Sequence, residues 1–119
     1  MKDNIIPIIK EFMEKEKIDF SISEDNSSDF WLDDKKSTIT VRFKVNSPEH
    51  EIFYDVYSTE YSNHLTEKTI KDVERLDYIA EDNRRWKIAE IIEDIWLILD
   101  QIKLWAMQNN YTLIEKQLI

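Results

Sequence analysis

Alternating hydrophobic and polar residues predict a sheet in the first half of the chain. The clearest strand runs from Thr38 to Val45, and its apolar residues fall on one side: Ile39, Val41, Phe43 and Val45. Residues 18–22 and 52–57 alternate similarly, and residues 30–32 read as a short strand. Polar segments at 24–29, 33–36 and 46–50 predict the intervening loop and turns. We therefore expect an antiparallel meander of three to four strands over residues 18–57.

Helical spacing of apolar residues predicts three helices. Residues 4–16 form the first, with Asn4 as its cap and Pro7 in its first turn. Residues 67–80 form the second and 84–108 the third, whose stripe of Ile95, Leu99 and Ile102 predicts the centre of the core. Asn109 and Asn110 can end that helix in a left-handed cap, and residues 111–114 can return as an edge strand. The 119-residue chain is expected to be a single α+β domain with its two later helices packed on one sheet face.

Composition excludes several kinds of catalytic site. The chain has no Cys, which excludes thiol nucleophiles and Cys-ligated metals, and no Gly, which excludes glycine-rich nucleotide-binding loops. Its two histidines, His50 and His64, lack the spacing of a helical zinc site. We therefore expect a protein that is not an enzyme and that uses neither a cofactor nor a metal.

The acidic balance of the sequence indicates which partners suit it. A formal charge of −9 repels nucleic acid and anionic membranes, and it favours the basic surface of another protein. The longest apolar run has five residues, 95–99, too few to span a bilayer. The N-terminus has no apolar signal segment, so we expect a cytoplasmic protein.

A cluster of acids in residues 24–34 is the first candidate site. Five acidic residues and no basic residue occur there: Glu24, Asp25, Asp29, Asp33 and Asp34. Such a cluster is either a pair of solvated loops or a docking patch for a basic partner. The partner-binding hypothesis includes all five.

Aromatic residues near the predicted strands form the second candidate site. Four aromatic residues lie on or beside a strand face that the main core is not expected to cover: Trp31, Phe53, Tyr57 and Tyr61. They suit either a second small core or an interface hot spot. The apolar stripe of the third helix is also wider than one sheet needs. We expect the other helices to cover it and keep a homodimer as the alternative.

Three classes of function fit these observations. Acidity, small size and the lack of catalytic motifs resemble bacterial toxin-immunity proteins and phage-encoded inhibitors of host defence, a resemblance of composition alone. The leading hypothesis is therefore a small, acidic, non-enzymatic protein that inhibits or neutralises a partner protein. The alternatives are a dimeric, secretion-chaperone-like α/β module and a small ligand-binding domain or enzyme.

Overall fold

The protein has an α+β fold in which two described helices accompany a six-stranded sheet. The structure, a computed structural model, describes residues 2–59, 62–68 and 83–118. Helix α1 spans Lys2–Glu16 and α2 spans Asn83–Gln108. The strands are β1 (Phe20–Glu24), β2 (Asp29–Asp34), β3 (Ile39–Asn46), β4 (Glu51–Ser58), β5 (Asn63–Leu65) and β6 (Thr112–Glu115).

The sheet is an antiparallel meander with one parallel addition. Strands β1 to β5 pair in chain order, each antiparallel to the next. Strand β6 pairs with β4 in parallel, with Ile52 beside Leu113. It shares the β4 edge with β5, which pairs with the end of β4 from Val56 to Ser58. The meander predicted over residues 18–57 has four strands, the predicted return strand is present as β6, and β5 is an additional strand that was not predicted.

One hydrophobic core joins the two helices to the sheet. Alternate residues of the central strands are buried, among them Leu32, Val41 and Phe43. Ile95, Ile98 and Leu99 of α2 line the same small apolar cavity as those three side chains, so α2 packs on this face. The predicted core centre is confirmed, since Ile95, Leu99 and Ile102 are all buried.

Both described helices end in left-handed caps built without glycine. Lys17 has a φ of 58°, and the Ile18 N–H donates to the Met13 carbonyl at 2.8 Å. Asn110 has a φ of 60°, and the Tyr111 N–H donates to the Ala106 carbonyl at 2.8 Å. This six-to-one bond is the Schellman pattern, which satisfies a carbonyl at the end of a helix. The predicted left-handed cap of the long helix is confirmed.

Several predicted boundaries differ from the structure. Helix α1 begins at Lys2, so Asn4 is not its cap and Pro7 lies beyond its first turn. Strand β2 includes Asp33 and Asp34, which were predicted to lie in a turn, because both pair with neighbouring strands. The meander begins at Phe20 rather than residue 18. The predicted helix 67–80 lies almost entirely outside the described residues.

Candidate functional site

The side of the sheet opposite α2, here called the outer face, carries most of the predicted site. Its residues follow from the alternation of β2, β3 and β4, since odd and even positions point to opposite sides. They are Asp29, Trp31, Asp33, Thr40, Arg42, Lys44, Phe53, Asp55 and Tyr57. The segment after β6 also shapes this surface, since Leu118 bonds to both Arg42 and Asp55.

A buried carboxylate organises the middle of the outer face. Asp55 is 4% exposed and lies beside Arg42 on the neighbouring strand. One oxygen, Oδ1, is 2.8 Å from His64 Nδ1, and the other, Oδ2, accepts the Leu118 N–H at 2.9 Å. Two separate groups therefore satisfy the two oxygens, as burial of a charge requires.

Arg42 extends this arrangement across the sheet. Its Nη2 and Nε donate to Asp29 Oδ2 at 2.5 and 3.2 Å, and its Nη1 lies 3.4 Å from the Leu118 carbonyl. The backbone of Leu118 is thus held at its N–H by Asp55 and at its carbonyl by Arg42. Lys116 Nζ lies 4.7 Å from the centre of the Phe53 ring, a cation–π distance. These contacts place residues 116–118 over the outer face.

The His64–Asp55 pair has the geometry in which a carboxylate orients a catalytic histidine. In this chain the other Asp55 oxygen binds the Leu118 amide, and the His64 ring packs edge-on against Tyr57 with centroids 5.2 Å apart. The pair therefore has a structural task, which is to join β4, β5 and the segment after β6.

An open depression lies beside this network, lined by Asp25, Trp31, Thr40 and Arg42. Trp31 is half-buried and lies between Ser23 of β1 and Arg42 of β3 in the sheet register. Asp25 is exposed, and its Oδ1 accepts the N–H of Ser27 at 2.8 Å, which orders the loop before β2. An aromatic surface beside a carboxylate is suited to a cationic side chain.

The five clustered acids occupy different environments. Asp29 and Asp34 are buried, Asp33 is half-buried, and Glu24 and Asp25 are exposed. Asp34 Oδ1 accepts the Ile39 N–H at 2.9 Å, closing the hairpin that joins β2 to β3. Asp33 accepts the Thr40 hydroxyl, and Asp29 binds Arg42 as described above. Glu24 and Asp25 are thus the exposed members of the cluster, and partner binding by the cluster stays a prediction.

The candidate aromatic residues are partly brought together. Trp31, Phe53 and Tyr57 all belong to the outer face and are half-buried, whereas Tyr61 lies outside the described residues. Sequence reasoning did not single out Arg42, Asp55 and His64. Alternation placed Arg42 and Asp55 away from the core, but the contact with His64 depends on the short strand β5, which has no clear pattern.

Helix α2 carries a second feature, a group of acids near its middle. Partial burial, and then the charges of Glu93 and Glu90, raise the pKa of Asp94. On strand β4, burial and the charge of Glu115 raise the pKa of Tyr54, whose hydroxyl donates to Glu115 Oε2 at 3.2 Å. Both shifts arise from packing and neighbouring acids rather than from a cluster of catalytic groups.

The described ranges, 2–59, 62–68 and 83–118, show neither a metal cluster nor a membrane-spanning helix. There, no three acidic or histidine side chains converge as metal ligands would. None of the helices in those ranges combines the length and apolar character needed to cross a bilayer.

Comparison with known proteins gives no relative: no family model, no curated protein and no solved structure matches the chain.

Proposed function

We propose that the protein is a non-enzymatic binding protein that covers a basic surface of another protein with the outer face around Trp31, and so inhibits or neutralises it. The depression lined by Asp25, Trp31, Thr40 and Arg42 is the observation that carries this proposal. A lysine or arginine of the partner can place its cation over the indole and near the Asp25 carboxylate. Arg42 does not oppose this contact strongly, because it is paired with Asp29.

The net charge supports the same kind of partner. A protein with a charge of −9 attracts a basic protein over distances of about 8 Å at physiological salt, the Debye length. Charge of this kind mainly raises the association rate, whereas a desolvated aromatic contact mainly lowers the dissociation rate. The two contributions are therefore separable by experiment.

The first step of the test is to capture partners from a lysate of the native host and measure their binding rates over a salt series. The double variant Glu24→Gln with Asp25→Asn should lower the association rate at low salt and flatten its salt dependence. Its control is Glu11→Gln with Glu14→Gln, which changes the charge equally at exposed positions of α1. Equal association rates for the two double variants would contradict the proposal.

The aromatic contribution has its own variants. Trp31→Ala should raise the dissociation rate about tenfold or more, the effect of a central aromatic contact. Trp96→Ala removes another half-buried indole, on α2, and serves as the control. A melting curve of each variant shows whether its fold is retained. If Trp31→Leu, which keeps apolar volume, also folds but binds like the unchanged protein, the indole is not a contact.

The same experiments separate the alternative classes. A secretion-chaperone-like module should sediment as a dimer and capture a secreted effector. A small ligand-binding domain or enzyme should capture no protein and should instead be stabilised by a small molecule. Absence of any captured basic protein would contradict the proposal made here.

A further inference from the structure

Strand β1 is an edge strand of the sheet within the described ranges. It is terminal in the strand order and pairs only with β2 among the described strands. Its sequence, Phe-Ser-Ile-Ser-Glu, contains neither Pro nor Lys, two residues that natural proteins place on edges to prevent pairing. Its backbone is therefore suited to accept another strand.

The hydrogen-bond pattern identifies which β1 groups face this edge. The Thr59 N–H donates to the Thr38 carbonyl at 2.9 Å, and the Val45 N–H donates to the Ser28 carbonyl at 3.2 Å. The second bond directs the backbone groups of Ser28 toward β3, and backbone groups along an antiparallel strand alternate in direction, so those of Trp31 and Asp33 face β1. The first bond agrees, because it directs Thr38 toward β4.

The same alternation then applies to β1 itself. Trp31 and Asp33 pair with Ser23 and Ser21, whose backbone groups must face β2. The N–H and carbonyl groups of Phe20, Ile22 and Glu24 consequently point away from the sheet. They form a row of donors and acceptors along the free edge.

Small side chains connect this edge to the Trp31 depression. On the outer face β1 presents only Ser21 and Ser23, and Ser23 is the residue beside Trp31. A strand added to β1 would lie about 10 Å from β2, two strand spacings. An arginine or lysine on that strand, opposite Ser23, can extend over the serine to reach Trp31 and Asp25.

Charge along the edge selects the kind of strand. Glu24 and Asp25 add two exposed carboxylates at one end of this edge, in a protein whose net charge is already −9. A basic residue is therefore favoured at the Glu24 end. A second copy of β1 suits the edge less well, because antiparallel pairing centred on Ile22 would set Asp25 against Asp19 of that copy.

We propose that an extended basic segment of the partner protein adds to the free edge of β1 and places a lysine or arginine over Ser23, against Trp31. This inference rests on the proposed function and specifies how the partner is held. Main-chain hydrogen bonds to Phe20, Ile22 and Glu24 would supply affinity, and the cationic side chain would supply specificity.

The probe for this proposal is a capped synthetic peptide of alternating arginine and valine, long enough to pair with all of β1. Titration followed by amide NMR shifts should move Phe20, Ile22 and Glu24 most within the sheet. A control peptide has the same sequence but is N-methylated at alternate amides, so that one of its edges cannot form main-chain hydrogen bonds with β1. It should bind at least about tenfold more weakly. Equal binding of the two peptides, or no binding of either, would overturn strand addition.

A pair of protein variants tests the same contact. Ile22→Pro removes the outward N–H, and an edge strand tolerates proline at such a position. Ile22→Ala is the control, since it removes much of the same side chain and keeps the N–H. The proline variant should bind the peptide at least about tenfold more weakly than the alanine variant. Should Ile22→Pro fail to fold, the comparison of methylated and unmodified peptides decides the question.

Failure of strand addition can be distinguished from failure of the proposed function. If a captured basic protein binds Ile22→Pro and Ile22→Ala equally but is lost by Trp31→Ala, the outer face binds partners without strand addition. If no basic protein is captured at all, the proposed function itself fails. If the purified protein forms a dimer and Ile22→Pro dissociates it, a second copy occupies the edge, which also overturns the proposal.

Discussion

Residues with positive φ carry conformational cost in a chain that contains no glycine. Five residues adopt the left-handed conformation within the described ranges: Lys17, Ser37, His50, Ser62 and Asn110. A side chain with a Cβ in that conformation costs about 1–2 kcal/mol, and asparagine tolerates it best. Each turn must therefore be held by surrounding bonds. At Ser37 the bond is its own N–H to the Asp34 carbonyl, at 3.0 Å.

Replacing one of these residues with glycine should stabilise the protein. We expect Ser37→Gly to raise the free energy of unfolding by up to about 1 kcal/mol, because relief of the left-handed strain exceeds the greater chain entropy of glycine. Urea unfolding measures the change. The control is Lys36→Gly, at an exposed neighbour that is not in the left-handed region, and it should lower stability. If both variants change stability alike, Ser37 carries no strain.

At the scale of elements, long periodic segments were predicted with accurate bounds, whereas short ones were missed or predicted without their pairing. Helix α2 differs by one residue at its start from the predicted 84–108, because its apolar stripe repeats over many turns. Strand β3 was clear for the same reason. Strand β5 has three residues, too few for alternation to stand out, and was missed. Strand β6 was expected as a return strand, but its parallel pairing with β4 depends on the tertiary fold.

For the candidate site too, only features with a local sequence pattern could be predicted. Trp31, Phe53 and Tyr57 were placed on the outer face by alternation alone. Asp34 shares the parity of Phe30 and Leu32, so extending β2 to its true end would have predicted its burial. The contact between Asp55 and Leu118 spans 63 residues and has no local pattern, which is why it could not be predicted.

The packed face of α2 should be sensitive to truncation of its buried side chains. Leu99→Ala should lower the free energy of unfolding by about 2–5 kcal/mol, since it removes a buried side chain and leaves a cavity. Leu104→Ala, at a side chain 49% exposed on the same helix, should cost far less. Urea unfolding of both variants provides the comparison. A similar cost at the two positions would mean that the stripe does not face the core.

At the scale of the whole molecule, the excess of acidic residues lowers the stability of the fold where carboxylates are close together and partly buried. Because the pKa of Asp94 is raised in the folded state, its ionisation penalises folding above that pKa. The penalty disappears once the pH is below the ordinary aspartate range, where Asp94 is protonated in both states. Burial of the Asp94 carboxyl, together with repulsion from Glu93 and Glu90, should therefore lower stability at neutral pH more than at acidic pH.

Asp94→Asn tests this dependence. The variant should melt at a higher temperature than the unchanged protein at neutral pH, and the two should converge as the pH falls through the ordinary aspartate range. Asp100→Asn, at an exposed position of the same helix, is the matched control. A constant difference between Asp94→Asn and the unchanged protein at every pH would show that ionisation is not its cause.

The parallel strand β6 has a consequence for how the chain folds. Strands β1 to β4 pair with neighbours across short connections, whereas Tyr54 meets Glu115 across 61 residues. Closing so long a loop costs more entropy, so the meander should form first and β6 should dock late. Until then the edge of β4 at Ile52 and Tyr54 stays open to strands of other molecules. The yield of refolding should therefore fall with protein concentration, even though the finished fold has this edge covered.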